Sequence, residues 1–413
     1  MGSTYFLGVT MIKRLLSTLA IGCAFWACDS STPSDYINDD VTVASSNSNT
    51  TNAVPVDYSL GRAMNARLGR GINLGNSWDS DGYDDTGWNN PIRDKDFATI
   101  KAAGFNSVRI PVRWQNYSDY KTHTVDPERL KGVKDDISLA IANGLAVVVN
   151  FHHYTELNCY GGGGSRWNYE TQKQEKCTYN AEKYQEEKAH FIGMWSQVAA
   201  ELNSFADSML VFEILNEPVI PKAELVDQLM NDAYNAIRAV AKNKTIMFES
   251  YAYAKFEYLN ILHLPQDGNI IFTGHYYEPY AFTHQGQHGN QCRGDAANGN
   301  KAQTDFRSYK ALAFKLYPDI NKVDNIPLNL GEFGVAGGSD MGTCTYYDSK
   351  GNPIEGEWPS DQKKAEWAQK TVEAALNNGM SFHYWGFGQT GGFDAYNVHT
   401  EQWYPGFPQA LLQ

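Results

Sequence analysis

Residues 210–218 read LVFEILNEP. From Leu210 to Leu215 apolar side chains occupy both alternating sets of positions, so both faces of this run suit burial. That is the pattern of a strand in a parallel sheet covered by helices. The run stops on Asn216, Glu217 and Pro218: an amide and a carboxylate, then a residue that cannot donate to a strand ladder. Glu213 is the odd member. A carboxylate inside a buried strand requires a basic or hydrogen-bonding partner, and the segment does not name one.

Seven further runs have the same character: GINLGN (71–76), FNSVRIPV (105–112), LAVVVNFHH (145–153), TIMFES (245–250), NIIFTGHYY (269–277), NIPLNLGEF (325–333) and SFHYWGF (381–387). Helix patterns lie between most of them, among them PIRDKDFATIKAAG (91–104), PERLKGVKDDISLAIANG (127–144) and KKAEWAQKTVEAALNNG (363–379). Their AAG, ANG and NNG endings read as glycine stops before the next strand. Eight strands alternating with helices predict the α/β class and a single (β/α)8 TIM barrel over residues 57–413. An open doubly wound sheet is the runner-up, and it lacks a glycine fingerprint after the first strand. Barrel sites form at the C-terminal strand ends. Here those ends carry Asn76, Arg109, His152, His153, Asn216, Glu217, Glu249, His275, Tyr277, Glu332 and Trp385, all directed to one mouth.

The first residues read differently. From Met11, taken as the true start, MIKRLLSTLAIGCAFWAC places Lys13 and Arg14 before an apolar run too short to span a bilayer. The run ends in two small-residue–Cys steps, Gly22–Cys23 and Ala27–Cys28, a pattern that resembles a lipoprotein signal. Cys28 is the candidate lipidation site because polar residues follow at once; an ordinary secretory signal is the alternative. Residues 1–28 are thus expected to be a leader, and the Ser/Thr/Asn-rich stretch 29–56 a flexible tether. The expected location is an outer-membrane lipoprotein or the cell surface, otherwise the periplasm or medium, with membrane contact only through the lipid.

A net charge of −13 disfavours nucleic acid and anionic lipid as partners. Aromatic residues make up 13% of the chain, an excess that favours a carbohydrate site because ring faces pack on sugar C–H faces. Beyond the leader stand Cys159, Cys177, Cys292 and Cys344, for which three pairings exist. A local Cys159–Cys177 bridge would staple the glycine-rich stretch between them, and Cys292–Cys344 would tie two later loops. His284, His288 and Cys292 have zinc-like spacing, but their glycine-containing segment reads as a loop, so no metal or other cofactor is expected.

Glu217 and Glu332 end the fourth and seventh strands, across the mouth from each other. Glycoside hydrolysis needs such a pair, one acid for the leaving oxygen and one carboxylate to attack the anomeric carbon. With FEILNEP, LGEFG, VRIPV, NFHH, HYY and YWGF in this order, the chain resembles glycoside hydrolase family 5, the large cellulase family, over about residues 65 to 390. The resemblance implies retaining hydrolysis of β-linked glycans, with Glu217 as acid/base and Glu332 as nucleophile. It implies Arg109 and Tyr277 as partners of Glu332, Asn216 on the sugar 2-OH, and His152 and His275 lining the cleaved sugar's subsite. Trp385 is its floor, and His153, His284 and Gln285 are further candidate substrate contacts. Trp78, Trp114 and Trp167 are candidates for outer stacking platforms. The expected enzyme is a monomeric endo-β-1,4-glucanase. Mixed-linkage glucan, mannan or xyloglucan are alternative substrates, and a non-catalytic glycan-binding protein is the rival class.

Overall fold

A computed structural model of the chain describes residues 54–168, 171–296, 299–388 and 390–413. The expected leader with Cys28, and nearly all of the expected tether, lie outside these residues. Val56 closes the tether reading but belongs to the fold: its N–H donates to Pro318 O and its carbonyl accepts from Ile320 N.

All eight predicted strands form: β1 (Arg70–Asn73), β2 (Ser107–Ile110), β3 (Ala146–Asn150), β4 (Leu210–Glu213), β5 (Thr245–Phe248), β6 (Ile270–His275), β7 (Leu328–Glu332) and β8 (Ser381–Tyr384). Each pairs in parallel with its sequence neighbours, and β8 returns to β1 with Arg70 opposite Phe382 and Ile72 opposite Tyr384. That last pairing closes the barrel and excludes the open sheet. Helices α1 (Ser59–Leu68), α2 (Asp94–Ala103), α3 (Pro127–Ala142), α4 (Ala181–Leu202), α5 (Ala223–Val240), α6 (Ala302–Leu316) and α7 (Asp361–Asn377) accompany the strands.

Local chemistry sets the helix ends. Asp126 caps α3 by accepting from Glu128 N and Arg129 N, with Pro127 at the first helical position. Ser360 caps α7 through Lys363 N. Gly104 takes the left-handed conformation directly after α2, whereas Gly144 and Gly379 do so one residue beyond an Asn cap. One unit departs from the alternating pattern. Between β5 and β6 the chain makes a left-handed turn at Ala252–Ala254 and a 3-10 turn at Phe256–Ile261 in place of a long helix.

Outward-facing strand residues such as Val147, Phe212 and Phe272 join helix residues such as Ile137, Trp195 and Ile237 in one buried layer. At the end of the barrel away from the mouth, Met64 and Leu68 of α1 pack on Ala146, Val148, Val211, Met247 and Ile271. Beside this apolar cluster Ser107 Oγ donates to Leu68 O and Ser381 Oγ to Asn65 Oδ1, so α1 plugs the base through both packing and hydrogen bonds. Leu68 is fully buried in this plug. Leu68→Ala is expected to cost about 2–5 kcal/mol of stability, read by urea unfolding, while activity of the folded variant at low temperature stays unchanged. A loss under about 0.5 kcal/mol would contradict the plug.

Candidate active site

The inward register of β2 puts Arg109 on the barrel axis, where it is fully buried. Its guanidinium binds Glu213 in bidentate fashion, Nε to Oε2 at 2.8 Å and Nη2 to Oε1 at 2.6 Å. Nη1 also donates to Asn73 Oδ1 at 2.9 Å and Glu332 Oε1 at 2.8 Å, and Nη2 to Asn216 Oδ1 at 2.6 Å. Arg109 is thus the partner that Glu213 requires. Asn150 Nδ2 adds a bond of 2.7 Å to Glu213 Oε1. Burial alone would raise the Glu213 carboxyl, but the Arg109 charge and these hydrogen bonds outweigh it and hold the group at about 2.

Above this pair, Glu217 leaves β4 in a left-handed conformation, φ 48°, and its N–H donates to Glu249 Oε2 at 2.6 Å. Its Oε1 lies 2.7 Å from His275 Nδ1, which is 3.6 Å from Glu332 Oε2. Tyr277 donates its hydroxyl to the same Glu332 oxygen at 3.0 Å. A carboxylate oxygen of Glu217, one of Glu332 and a His275 ring nitrogen all lie within 4.8 Å of one another. Gly331 makes this fit possible: a Cβ there would stand 2.7 Å from Thr273 Oγ1 and 3.1 Å from His275 Nε2. Burial leaves the Glu332 carboxyl raised on balance, although the His275 and Arg109 charges pull against it. For His275, burial opposes the charge, but Glu332 and Glu249 overcome it and keep the imidazole well above its ordinary pKa.

The opposite wall is aromatic. Trp385 lies parallel to the His152 ring, 5.9 Å between centroids and 4° between planes. Its indole rests on Gly75, where a Cβ would come within 2.3 Å of the ring. His153 stands edge-on to His152, and its Nε2 is 3.9 Å from Asp79 Oδ2. Burial keeps both histidines well below the usual range, hence neutral at pH 7. Asp79 is buried, and burial raises its carboxyl to about 6 against donation from the Ser77 N–H.

Arg109, His152, His153, Asn216, Glu217, His275, Tyr277, Glu332 and Trp385 thus meet at one mouth. Other expected contacts differ. Gln285 is fully buried, its amide donating to Gly294 O and its carbonyl accepting from Arg293 N, so it braces a loop. His284, half-buried, stacks on Tyr280 and meets Tyr277 edge-on, next to the hydroxyl donor of Glu332. Trp78 and Trp114 are buried and donate to Asp136 and Asn150 O, so neither is a platform, whereas Trp167 is exposed. Cys292 is bonded to Cys344 and Cys159 to Cys177; the first bond takes Cys292 from the zinc-like spacing. Among the described residues, Asp79, His152 and His153 also bring ligand-type atoms within 4.8 Å, as Glu217, His275 and Glu332 do. A cavity of about 160 Å³ near Gly338, Lys364 and Tyr404 contains none of these side chains. Asn73, Asp79, Asn150 and the supporting role of Glu249 were missed; only the polar strand end FES marked Glu249.

Glu249 gives the site a pH signature. Burial, aided by the Glu213 charge, raises it from 4.5 to about 8 against the pull of His275 and Arg109. Between those values the folded chain holds a proton that the unfolded chain has lost. This stabilising contribution is full below pH 4.5 and is lost as pH rises through about 8. His275 has the same sign. Glu249→Gln, permanently uncharged, is expected to make the fall in urea-unfolding free energy between about pH 6 and 8 shallower. An unchanged slope would contradict the assignment.

Comparison with known proteins agrees with this geometry. Residues 70–391 match the model of the cellulase family, glycosyl hydrolase family 5. Endoglucanase H of Acetivibrio thermocellus is 25% identical over 334 residues, covering 80% of this chain and 31% of that protein. Endoglucanase A of Clostridium longisporum is 26% identical over 298 residues, 65% of this chain and 52% of that one. The chain therefore spans about a third to a half the length of these two curated relatives. The structure of endoglucanase Cel5A from the hyperthermophilic Thermotoga maritima superposes with a TM-score of 0.65 at 27% identity, covering 86% of this chain and 99% of that one; other structures of that enzyme hold cellobiose or mannotriose. This chain belongs to the cellulase family, glycosyl hydrolase family 5.

Proposed function

We propose that this protein is a retaining endo-β-1,4-glucanase. The observation that supports the mechanism is the proximity of Glu217 and Glu332, whose carboxylates approach one nitrogen of His275 to 2.7 and 3.6 Å and offer oxygens within 4.8 Å of each other. Retaining glycosidases hold their carboxyl groups about 5–5.5 Å apart, whereas inverting ones leave about 6.5–9.5 Å for a water molecule. Glu332 attacks the anomeric carbon as Glu217 gives its proton to the glycosidic oxygen, which departs as the alcohol of the leaving chain. Glu217, now a base, takes a proton from water, whose oxygen displaces Glu332 and restores the anomeric configuration. Arg109 and Tyr277 hold the nucleophile in line and release it as its charge is spent on the new ester bond. His275, 2.7 Å from Glu217 and 3.6 Å from Glu332, orients the acid and sets positive charge beside the nucleophile. Asn216, fixed by Arg109, is the residue for the 2-OH, and Trp385 with His152 forms the floor for the sugar being cleaved.

The β-1,4-glucan assignment rests on the endoglucanase relatives. The mannotriose-bound neighbour makes a mannan the second reading. Reducing-sugar assays on carboxymethyl-cellulose, mixed-linkage glucan, glucomannan, xyloglucan and xylan separate the two, with the glucans expected to turn over fastest. The two disulfides suit an oxidising, exported setting. We further propose that Cys28 carries a lipid anchor; expression with the native leader should then give a mass matching a diacylated or triacylated Cys28 terminus, and an unmodified secreted chain would refute it.

Glu217→Ala and Glu332→Ala should each lower kcat by several orders of magnitude, with circular dichroism unchanged. Azide with an activated aryl glycoside should rescue Glu332→Ala to the inverted glycosyl azide and Glu217→Ala to the retained one. The reverse stereochemistry would exchange the two roles, and wild-type turnover in either variant would sink the mechanism.

A further inference from the structure

The glycine run between Cys159 and Cys177 has a physical reason: it presses the loop after β3 onto the loop after β4. A Cβ on Gly163 would lie 1.9 Å from Val219 O, and one on Gly161 would lie 2.6 Å from Ile220 Cγ1. Asn158 Oδ1 accepts from Val219 N at 3.0 Å, and Lys222 Nζ sits 3.6 Å from the centre of the Tyr179 ring. The Cys159–Cys177 bond closes the base of the loop, and Cys177 N donates to Gly164 O. These contacts engage Val219 to Lys222, which begin two residues after Glu217. Out of this clamp rises an antiparallel hairpin of Ser165–Asn168 and Lys173–Lys176. It carries Trp167 opposite Gln174, with the indole 44% exposed. On the same face Gln174 Nε2 donates to Ser165 Oγ at 2.7 Å.

We propose that Trp167 is the stacking platform for the leaving-group side of a bound glucan chain, a proposal that rests on the retaining-glycosidase reading above. Glu217 protonates the leaving oxygen, so the departing chain runs past the β4 loop. Trp385 on β8 marks the other half of the cleft, because β4 and β8 stand four strands apart around the barrel. An exposed indole flanked by an amide and a hydroxyl presents one apolar plane and polar groups at its edge. That combination matches the C–H face and the equatorial hydroxyls of a β-linked glucosyl unit. The hairpin would then favour long chains over short ones, which is what endo-acting cleavage demands.

The test compares Trp167→Ala and Trp167→Phe with wild type on two substrates. Cellohexaose spans the leaving-group side, whereas 2,4-dinitrophenyl cellobioside ends at the first leaving-group position. For Trp167→Ala, kcat/KM on cellohexaose is expected to fall about tenfold, and on the aryl cellobioside to change less than about twofold. Trp167→Phe should recover most of the loss. Unchanged cellohexaose kinetics, or equal losses on both substrates, would overturn the platform while leaving the mechanism intact. A wild-type enzyme inactive on both would instead bring down the glycosidase reading and this proposal with it.

Discussion

One buried cation organises this barrel. Arg109 is out of contact with water, and a guanidinium in that position is tolerated only when its donors are matched by acceptors. Its matches come from β1, β4 and β7: Asn73, Glu213, Asn216 and Glu332. A hydrogen-bonding fork this rigid allows little variation in where those strands end. Removing one member of a buried ion pair costs about 3–5 kcal/mol, since the other is left uncompensated. The placement of the nucleophile candidate and the integrity of the barrel interior therefore hang on the same group.

The charges above Arg109 sort themselves by environment. Glu213 takes the bidentate face and remains ionised, whereas Glu249, lying 3.9 Å from Nη2, is displaced to the opposite behaviour. His275 stands 2.7, 3.4 and 3.6 Å from the carboxylates of Glu217, Glu249 and Glu332. A cationic imidazole there links all three. Carboxylates packed this closely would repel one another, and the two interleaved cations are what permit the crowding.

Most of the architecture was legible in the sequence. Runs such as LVFEIL, apolar on both faces, and glycine stops such as ANG are local patterns, and local patterns decide strand and helix. The mouth was legible because polar residues end those runs. Long-range pairings were not. Glu213 is plainly a buried carboxylate on its own strand, yet its partner lies 104 positions away on β2 and is fixed by the register of β2 and β4 on either side of β3. Gln285 shows the converse failure. Its loop resembled a substrate-contacting segment, but both ends of its amide are committed to Arg293 and Gly294. Trp78 and Trp114 failed likewise, since nothing local distinguishes an indole destined for the core from one facing a ligand.

The plug formed by α1 has a mechanical consequence. The described chain enters beside the plug, where Val56 pairs with the segment leading from α6 to β7, at the pole away from the catalytic opening. Whatever holds the chain upstream of Val56 therefore grips the barrel by its underside. An anchor of the kind proposed for Cys28 would then leave the opening facing away from its point of attachment.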